Sequence, residues 1–184
     1  MGLVLLTGGA RSGKSRLAVD LAARERGPTV FIATAETLDD EMVERVRRHR
    51  DMRPATWTTI EEPVDLEGAI AGTVAGAFLI VDCLSLWVAN LMMRELPGDN
   101  ILERSRRAAS LAANRMRGSV AVTNEVGSGV HPEHQLGRRY RDVLGLVNAD
   151  WATEATRVGL VVAGRLLPLS AVEDVWKDEG WMTN

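Results

Sequence analysis

Residues 8–15 read Gly8-Gly9-Ala10-Arg11-Ser12-Gly13-Lys14-Ser15. This stretch fits the pattern G-x-x-x-x-G-K-[ST], and it lies between an apolar run, residues 3–7, and an amphipathic segment that begins near Lys14. Glycines let the backbone fold tightly enough for successive N–H groups to point at phosphate oxygens, and the helix N-terminus adds partial positive charge. We expect Lys14 to reach the β and γ phosphates of a nucleoside triphosphate. A chance match is disfavoured, because the motif, the preceding strand and the following helix agree.

Two oxygen ligands for Mg²⁺ follow from the same pattern. In P-loop enzymes the hydroxyl after the lysine binds the ion, as does a carboxylate at the end of a neighbouring apolar strand. Here these residues are Ser15 and Asp82, the second at the end of the apolar run 78–82. An aspartate after a strand also caps helices, so Asp82 as the N-cap of a helix near Ser85 is the alternative.

The rest of the chain predicts an α/β fold with a mainly parallel sheet flanked by helices. Short apolar runs alternate with longer amphipathic segments, and this alternation is typical of βα units. The strand-like runs are 3–7, 29–33, 78–82, 119–123 and 158–163, with weaker signals at 57–60 and, as an antiparallel edge, at 166–169. The helical segments are 14–26, 39–52, 63–74, 85–96, 100–117 and 133–156, with a turn at 97–100. We expect one P-loop catalytic domain over residues 1–170 and a C-terminal appendage over residues 171–184.

Composition excludes several classes of protein. The chain has 184 residues, 46% hydrophobic and 26% charged, which is typical of a soluble globular domain and not of a disordered chain. Its 22 Lys and Arg against 25 Asp and Glu give a net charge of −3, which argues against nucleic acid as a partner. The lone cysteine, Cys83, forms no intramolecular disulfide, and the most apolar stretch, 78–93, is shorter than the ~20 residues of a membrane span. We therefore expect a cytoplasmic protein without a membrane span.

One histidine lies within a cluster of arginines. Residues 45–53 contain His49 together with five arginines, namely Arg45, Arg47, Arg48, Arg50 and Arg53. In a helix, Arg45 and His49 share a face, and such a face would bind phosphate. Cationic neighbours also disfavour the charged imidazole, which leaves a neutral, nucleophilic ring nitrogen. Composition alone favours the simpler interpretation of a solvated basic helix.

Six stretches together carry a resemblance to a known family. They are residues 8–15, Ile32-Ala33-Thr34-Ala35-Glu36, Leu38-Asp39-Asp40-Glu41-Met42, His49-Arg50-Asp51-Met52-Arg53-Pro54, Trp57-Thr58-Thr59-Ile60-Glu61 and Thr123-Asn124-Glu125-Val126-Gly127. In this order, over roughly residues 1–165, they resemble the bifunctional adenosylcobinamide kinase and adenosylcobinamide-phosphate guanylyltransferase family. Many NTPases share the phosphate loop, but its combination with the H-R-x-x-R-P and N-E-V-G segments is specific.

The resemblance implies a two-step role in assembling the cobalamin nucleotide loop. ATP or GTP first phosphorylates the aminopropanol hydroxyl of adenosylcobinamide. GTP then donates GMP to a histidine, and adenosylcobinamide phosphate attacks this phosphoramidate to give adenosylcobinamide-GDP. On this pattern His49 and Lys14 are the catalytic residues, and the family also implies a RecA-like core and a homotrimer. The implied nucleotide contacts are residues 8–15 with Ala33, Thr34, Ala35, Arg50, Asp51, Met52, Arg53, Glu61 and Asp82.

Other functions fit parts of the pattern. A simple P-loop kinase of another small alcohol would use residues 8–15 and Asp82 equally well, with His49 structural. A nucleotide-dependent switch would bind GTP and leave it intact. A nucleic-acid binder is disfavoured, because the basic clusters have no interleaved aromatic residues. A covalent GMP adduct on His49 separates the family reaction from the simple kinase.

Two histidines and two tryptophans are predicted to have no catalytic role. His131 and His134 flank Pro132 in a predicted loop entering a helix, and loop histidines are more often solvent-facing than metal ligands. Contact of His131 and Glu125 with the corrinoid is the weaker alternative. Trp57 and Trp87 are predicted to be packing residues, as large aromatic side chains usually are.

Overall fold

The computed structural model describes residues 2–36, 50, 53–172 and 174–175. The predicted helix at 39–52, apart from Arg50, lies outside the described residues, as does most of the predicted appendage, including residues 176–184. The strands are β1 (Leu3–Thr7), β2 (Thr29–Ala33), β3 (Thr58–Glu61), β4 (Phe78–Asp82), β5 (Ser119–Val122), β6 (Arg157–Val162) and β7 (Arg165–Leu169). The described helices are α1 (Lys14–Ala22), α2 (Leu66–Ala71), α3 (Leu84–Met93), α4 (Gly98–Ala113) and α5 (Gln135–Glu154).

All seven strands form one sheet in the order β3-β2-β4-β5-β1-β6-β7. Six strands are parallel, and β7 pairs antiparallel with β6, so both the parallel sheet and its antiparallel edge are confirmed. Strand β5 separates β1, which leads into the phosphate loop, from β4, which ends at Asp82. The near-continuous apolar runs arise because both faces of the central strands are covered by helices.

Successive residues of the central strands enter two different hydrophobic cores. Leu5, Ile32 and Val81 pack in the larger core, which is completed by residues of α2, α3, α4 and α5. Leu6 and Phe31 pack in the smaller core, which is completed by α1. Alternation along each strand therefore divides the helices between the two faces of the sheet.

The predicted helices are present among the described residues, but several of their limits are wrong. The first was predicted over residues 14–26 and ends at Ala22, because the N–H groups of Arg24 and Glu25 bond to carbonyls only three residues back and so tighten the chain. The turn predicted at 97–100 is instead the start of α4, with Pro97 as its N-cap. Glu133 precedes α5, whose N-cap is His134. None of the described helices is long and apolar enough to cross a membrane.

Candidate functional site

The carboxyl ends of the parallel strands place several predicted site residues in one row. Strand register pairs Glu61 with Ala33, Ala33 with Asp82, Asp82 with Val122, and Val122 with Leu6. The phosphate loop begins just beyond Leu6 at the same edge. Ligands of open parallel sheets bind at this edge where the strand order reverses, so the row marks the expected nucleotide site.

The phosphate loop is held in shape by Lys14. Its Nζ atom donates to the carbonyl oxygens of Gly8 at 2.9 Å and Gly9 at 2.6 Å, and to Ser12 Oγ at 3.3 Å. The side chain is only 6% exposed, although lysine is one of the residues least often buried. The Lys14 ammonium group therefore holds both the backbone at the start of the loop, at Gly8 and Gly9, and the Ser12 side chain further along it.

The β6–β7 hairpin supports the phosphate loop from the side. The N–H group of Gly164, in the hairpin turn, donates to the Ser12 carbonyl at 2.9 Å. At Gly8, φ is +146°, and a Cβ atom would lie 2.2 Å from the Val161 carbonyl oxygen. Any side chain at position 8 would consequently push the loop off β6, which explains glycine there.

Asp82 and Thr34 meet where β4 and β2 end. Thr34 is fully buried, its hydroxyl donates to the Cys83 carbonyl at 2.7 Å, and the same oxygen accepts the Cys83 N–H at 2.8 Å. Asn90 Nδ2 in turn donates to the Thr34 carbonyl at 2.7 Å. The α3 N-cap is Cys83, and its cap makes no side-chain bond, so the alternative of Asp82 as a helix cap is wrong. Asp82 is half-buried and lies at the sheet edge, one residue before that N-cap.

A basic cavity of about 500 Å³ lies beside this row. Its lining residues are Arg50, Arg53, Pro54, Ala55, Trp57, Thr59 and Glu61. Arg50 forms an ion pair with Glu61, and Arg53 donates weakly to Thr59 Oγ1 at 3.5 Å. Trp57 is half-buried, so it forms a wall of the cavity as well as packing against the smaller core. The sequence pattern predicts Trp57 as a packing residue only and gives Thr59 no role.

Arg53, in this cavity, packs over an aromatic ring of the core. Its guanidinium lies 3.5 Å from the centroid of the Phe31 ring, and its Nε atom is buried with no hydrogen-bond partner among the described residues. Burial lowers the pKa of Arg53, and Arg50 lowers it further, whereas the carboxylates of Asp82 and Glu61 raise it. Electrostatic coupling therefore extends from the cavity to the sheet edge at Asp82.

A buried polar cluster lies behind Asp82. Cys83 Sγ is 3.0 Å from Ser85 Oγ, which also accepts from Asn124 Nδ2 at 3.1 Å. The hydroxyl of Tyr140, on α5, donates to the Ser85 carbonyl at 3.1 Å. Cys83 is buried, but it lies in a polar cluster and not in a purely apolar environment.

The titration of Tyr140 reports on this cluster. Burial, with a smaller contribution from Cys83, raises the pKa of Tyr140 from 10.0 to about 12. Because the folded-state pKa is raised, Tyr140 stabilises the fold fully below about pH 10, and that contribution is lost as pH rises towards about 12. The chain has one tyrosine, so the ultraviolet absorbance change that accompanies tyrosinate formation comes from Tyr140, against a constant background from the five tryptophans.

We expect half-formation of tyrosinate near pH 12 in the folded protein and near pH 10 in denaturant. A Tyr140→Phe variant, which leaves no tyrosine, provides the baseline. Titration near pH 10 in protein that circular dichroism shows to be folded would contradict the buried environment of this hydroxyl.

The two described histidines lie outside the row. His131 is exposed, and its Nδ1 is 2.8 Å from Arg141 NH1. His134 is exposed and makes no side-chain bond at the N-terminus of α5. Glu125 caps the following turn, since its Oε1 accepts from the N–H groups of Gly127 and Ser128. No cluster of three metal-ligating side chains occurs in the described part of the chain.

The predicted residues therefore fall into two groups. The sheet edge and the cavity beside it bring together the phosphate loop, Ala33, Thr34, Ala35, Arg50, Arg53, Glu61 and Asp82. Three predicted residues, His49, Asp51 and Met52, lie outside the described residues. No sequence motif predicts the β6–β7 hairpin as a support for the loop, because the contacts between them are made by backbone atoms.

A buried lysine in a strand–loop–helix, at the edge of a mainly parallel sheet flanked by helices, is typical of the P-loop class of α/β proteins. The sequence matches the family "Cobinamide kinase / cobinamide phosphate guanyltransferase" over residues 4–169. The chain belongs to this family and has its bifunctional activity.

Two relatives agree with this assignment. The chain is 42% identical over 167 residues to the bifunctional adenosylcobalamin biosynthesis protein CobP of Pseudomonas aeruginosa, covering 90% of this chain and 95% of the relative. It is 39% identical over 176 residues to CobU of Salmonella typhimurium, covering 88% and 96%.

Two solved structures share the fold alone. They are a prototypical ATPase from the type III secretion system of pathogenic bacteria and the protein PH0250 of Pyrococcus horikoshii. The first has a TM-score of 0.55 at 10% identity, covering 98% of this chain and 54% of that one. The second has a TM-score of 0.53 at 9% identity, covering 95% and 88%.

Proposed function

We propose that the row at the carboxyl edge of the sheet binds the nucleoside triphosphate in both reactions of the family, with His49 as the residue that carries GMP. The single observation that supports this most is the shared edge: Lys14 closes the phosphate loop, and Asp82 ends the strand two positions along the sheet. In this proposal residues 8–15 hold the phosphates, and Ala33, Thr34, Ala35, Arg50, Asp51, Met52, Arg53 and Glu61 contact the rest of the nucleotide.

In the first reaction the aminopropanol hydroxyl oxygen of adenosylcobinamide attacks the γ-phosphorus of ATP or GTP. The bond from that phosphorus to the bridging oxygen breaks, the nucleoside diphosphate leaves, and the hydroxyl proton is released. Lys14 and the loop N–H groups neutralise charge on the phosphate oxygens. These groups are effective because they are aligned before the reaction. The β6–β7 hairpin and the hydrogen bonds of Lys14 hold the loop in that alignment.

In the second reaction a ring nitrogen of His49 attacks the α-phosphorus of GTP and pyrophosphate leaves. A phosphate oxygen of adenosylcobinamide phosphate then attacks the same phosphorus, releasing the histidine and forming the diphosphate bridge of adenosylcobinamide-GDP. Covalent catalysis replaces one difficult displacement with two easier ones. Arg50 and Arg53, which line the basic cavity, supply positive charge for the phosphates.

Mg²⁺ fits the residues at the sheet edge. Ser15, in the first turn of α1, and the half-buried Asp82 offer only oxygen ligands, which this ion prefers, and it needs few protein ligands because phosphates and water complete its shell. The ion, when bound, neutralises charge on the phosphate oxygens. Ser15 and Asp82 are the residues that we propose to hold it.

The proposed enzyme is cytoplasmic, and its catalytic domain spans residues 1–170. A cytoplasmic location would supply both nucleoside triphosphates, and this proposal agrees with the absence of a membrane-spanning helix among the described residues. We take residues 1–170 as the catalytic domain, since β7 ends at Leu169 in the same sheet as β1, and residues 171–184 as its appendage.

A homotrimer is proposed on the family resemblance, and the exposed apolar residues Val162, Leu166 and Leu167 at the sheet edge agree with an oligomer. Multi-angle light scattering should give three times the chain mass of 20.1 kDa. A monomeric mass across the working concentration range would contradict the trimer.

The covalent step is tested by intact-protein mass spectrometry after incubation with GTP and Mg²⁺. We expect a mass increase equal to one GMP, with peptide mapping placing the adduct on His49. The adduct should disappear when adenosylcobinamide phosphate is added, because the substrate removes the GMP. Transfer of the γ-phosphoryl group with no adduct would instead support a simple kinase.

A further inference from the structure

The side-chain amide of Asn148, in the middle of α5, bonds to two successive residues that follow β5. Its Oδ1 accepts from the Thr123 hydroxyl at 2.6 Å, and its Nδ2 donates to the Asn124 carbonyl at 3.0 Å. The Asn124 carbonyl can only accept, so the amide has one consistent orientation. Thr123 is fully buried, and each half of the amide has a partner. Asn148 is half-buried, and an amide with both halves satisfied in this way holds its neighbours in one arrangement.

The residues held by Asn148 lie between the phosphate loop and Asp82. Val122, the last residue of β5, pairs with Leu6 on one side and with Asp82 on the other. Beyond it, the Thr123 N–H donates to the Leu6 carbonyl at 2.9 Å, and the Glu125 N–H donates to the Gly8 carbonyl at 3.1 Å. The segment 123–125 therefore lies between the phosphate loop and Asp82, beside the proposed position of the terminal phosphate.

The side chain of Asn124 fixes the other flank of the segment. Its Nδ2 donates to Ser85 Oγ at 3.1 Å, in the first turn of α3. Ser85 Oγ is also 3.0 Å from Cys83 Sγ, and Cys83 follows Asp82 directly. One chain of contacts thus runs from α5 through Asn148 and Asn124 to the residue next to the carboxylate.

We propose that Asn148 is a positioning residue for phosphoryl transfer, acting through Thr123 and Asn124 on the spacing between the phosphate loop and Asp82. This inference rests on the proposed placement of the triphosphate at that edge. Asn148 does not touch the substrate; its role is to keep the segment 123–125 from shifting. Displacement of reacting groups by about 1 Å costs up to about a hundredfold in rate, so loss of this restraint should lower kcat and leave ground-state binding largely unchanged.

Three substitutions test the contact from both sides. Asn148→Asp keeps the shape and the acceptor for Thr123 but removes the donor to the Asn124 carbonyl. Thr123→Val keeps the shape and removes the hydroxyl. Thr123→Ser retains the hydroxyl and serves as the conservative rescue. We expect Asn148→Asp and Thr123→Val each to lower kinase kcat by about tenfold or more, with GTP affinity within about twofold of wild type and activity largely restored in Thr123→Ser.

Ser105→Ala provides a matched control for loss of stability. Ser105 is fully buried, and its Oγ accepts from Trp151 Nε1 at 3.1 Å, so this bond also joins α5 to another element but lies in the larger core. Ser105→Ala should lower the melting temperature by an amount similar to Asn148→Asp and leave kcat unchanged at 25 °C. This comparison separates a positioning role from a structural one.

Two outcomes would overturn the inference. The first is an unchanged kcat in both Asn148→Asp and Thr123→Val. The second is a loss of kcat that Ser105→Ala reproduces at equal melting temperature. Lys14→Ala, measured beside these variants, tests the placement of the triphosphate separately. An inactive Lys14→Ala with a fully active Asn148→Asp would reject only the positioning role, whereas an active Lys14→Ala would reject the placement itself.

Discussion

Replacing Lys14 with alanine should lower both the kinase and the guanylyltransferase rates by about a hundredfold to a thousandfold. In the kinase step Lys14 would neutralise charge on the β and γ phosphates, and in the guanylyl step the same phosphates leave as pyrophosphate. The side chain also holds the carbonyls of Gly8 and Gly9, so its loss removes charge and loosens the loop together. Steady-state assays of each half-reaction with saturating nucleotide measure the effect.

Arg16→Ala is the matched control for Lys14→Ala. Arg16 lies on the same helix, its side chain is 82% exposed, and its contact with Asp20 spans 4.0 Å. The substitution removes one positive charge without touching the loop, so both rates should stay close to wild type. If Lys14→Ala folds normally and keeps either activity at the control level, that reaction does not use the phosphate loop.

Replacing His49 with alanine should abolish guanylyl transfer, with a loss of at least about a thousandfold, and spare part of the kinase activity. The reason is chemical: the kinase step transfers a phosphoryl group directly to the substrate hydroxyl, whereas the guanylyl step needs a nitrogen that forms and breaks a bond to phosphorus. Product analysis should show adenosylcobinamide phosphate accumulating from adenosylcobinamide, with no adenosylcobinamide-GDP.

His134→Ala controls for loss of a histidine. This side chain is exposed and makes no cap bond at α5, so both activities should persist. Equal loss of the two activities in His49→Ala would show that the histidine is not confined to guanylyl transfer. Full retention of guanylyl transfer would exclude His49 as the nucleophile and would favour direct transfer of GMP without a covalent intermediate on this residue.

The sheet and the phosphate loop could be predicted because their signals are local. A strand covered on both faces must be apolar at every position, as β2 is, and the loop needs glycine at fixed positions. Helix limits were harder, because the end of a helix depends on which carbonyl accepts each N–H group. Residues 23–26 have a composition compatible with α1 yet turn away after Ala22. At the start of α4, Gly98 and Asp99 suit a turn and a first helical turn equally.

The supports of the site could not be predicted because their partners are distant in the sequence. Asn148 lies on an amphipathic helix and is separated from Thr123 by 25 positions, so no motif links them. Thr34 appeared as a nucleotide contact by resemblance, whereas its hydroxyl bonds to the Cys83 backbone, 49 positions away. Trp57 looked like a packing residue, and only the fold shows that it also lines a cavity with Arg50 and Glu61. Spacing identifies residues that act on a ligand directly more readily than residues that hold others in place.

The support of the phosphate loop by the β6–β7 hairpin has a consequence for the order in which the protein is made. Gly8 leaves the ribosome well before Val161, whose carbonyl shapes it, and Ser12 well before Gly164, whose N–H group anchors it. Strand β1 is also held between β5 and β6, so the loop acquires its final shape only after β6 and the hairpin turn have been synthesised. A nascent chain released before β6 would carry the whole P-loop motif without a formed nucleotide site.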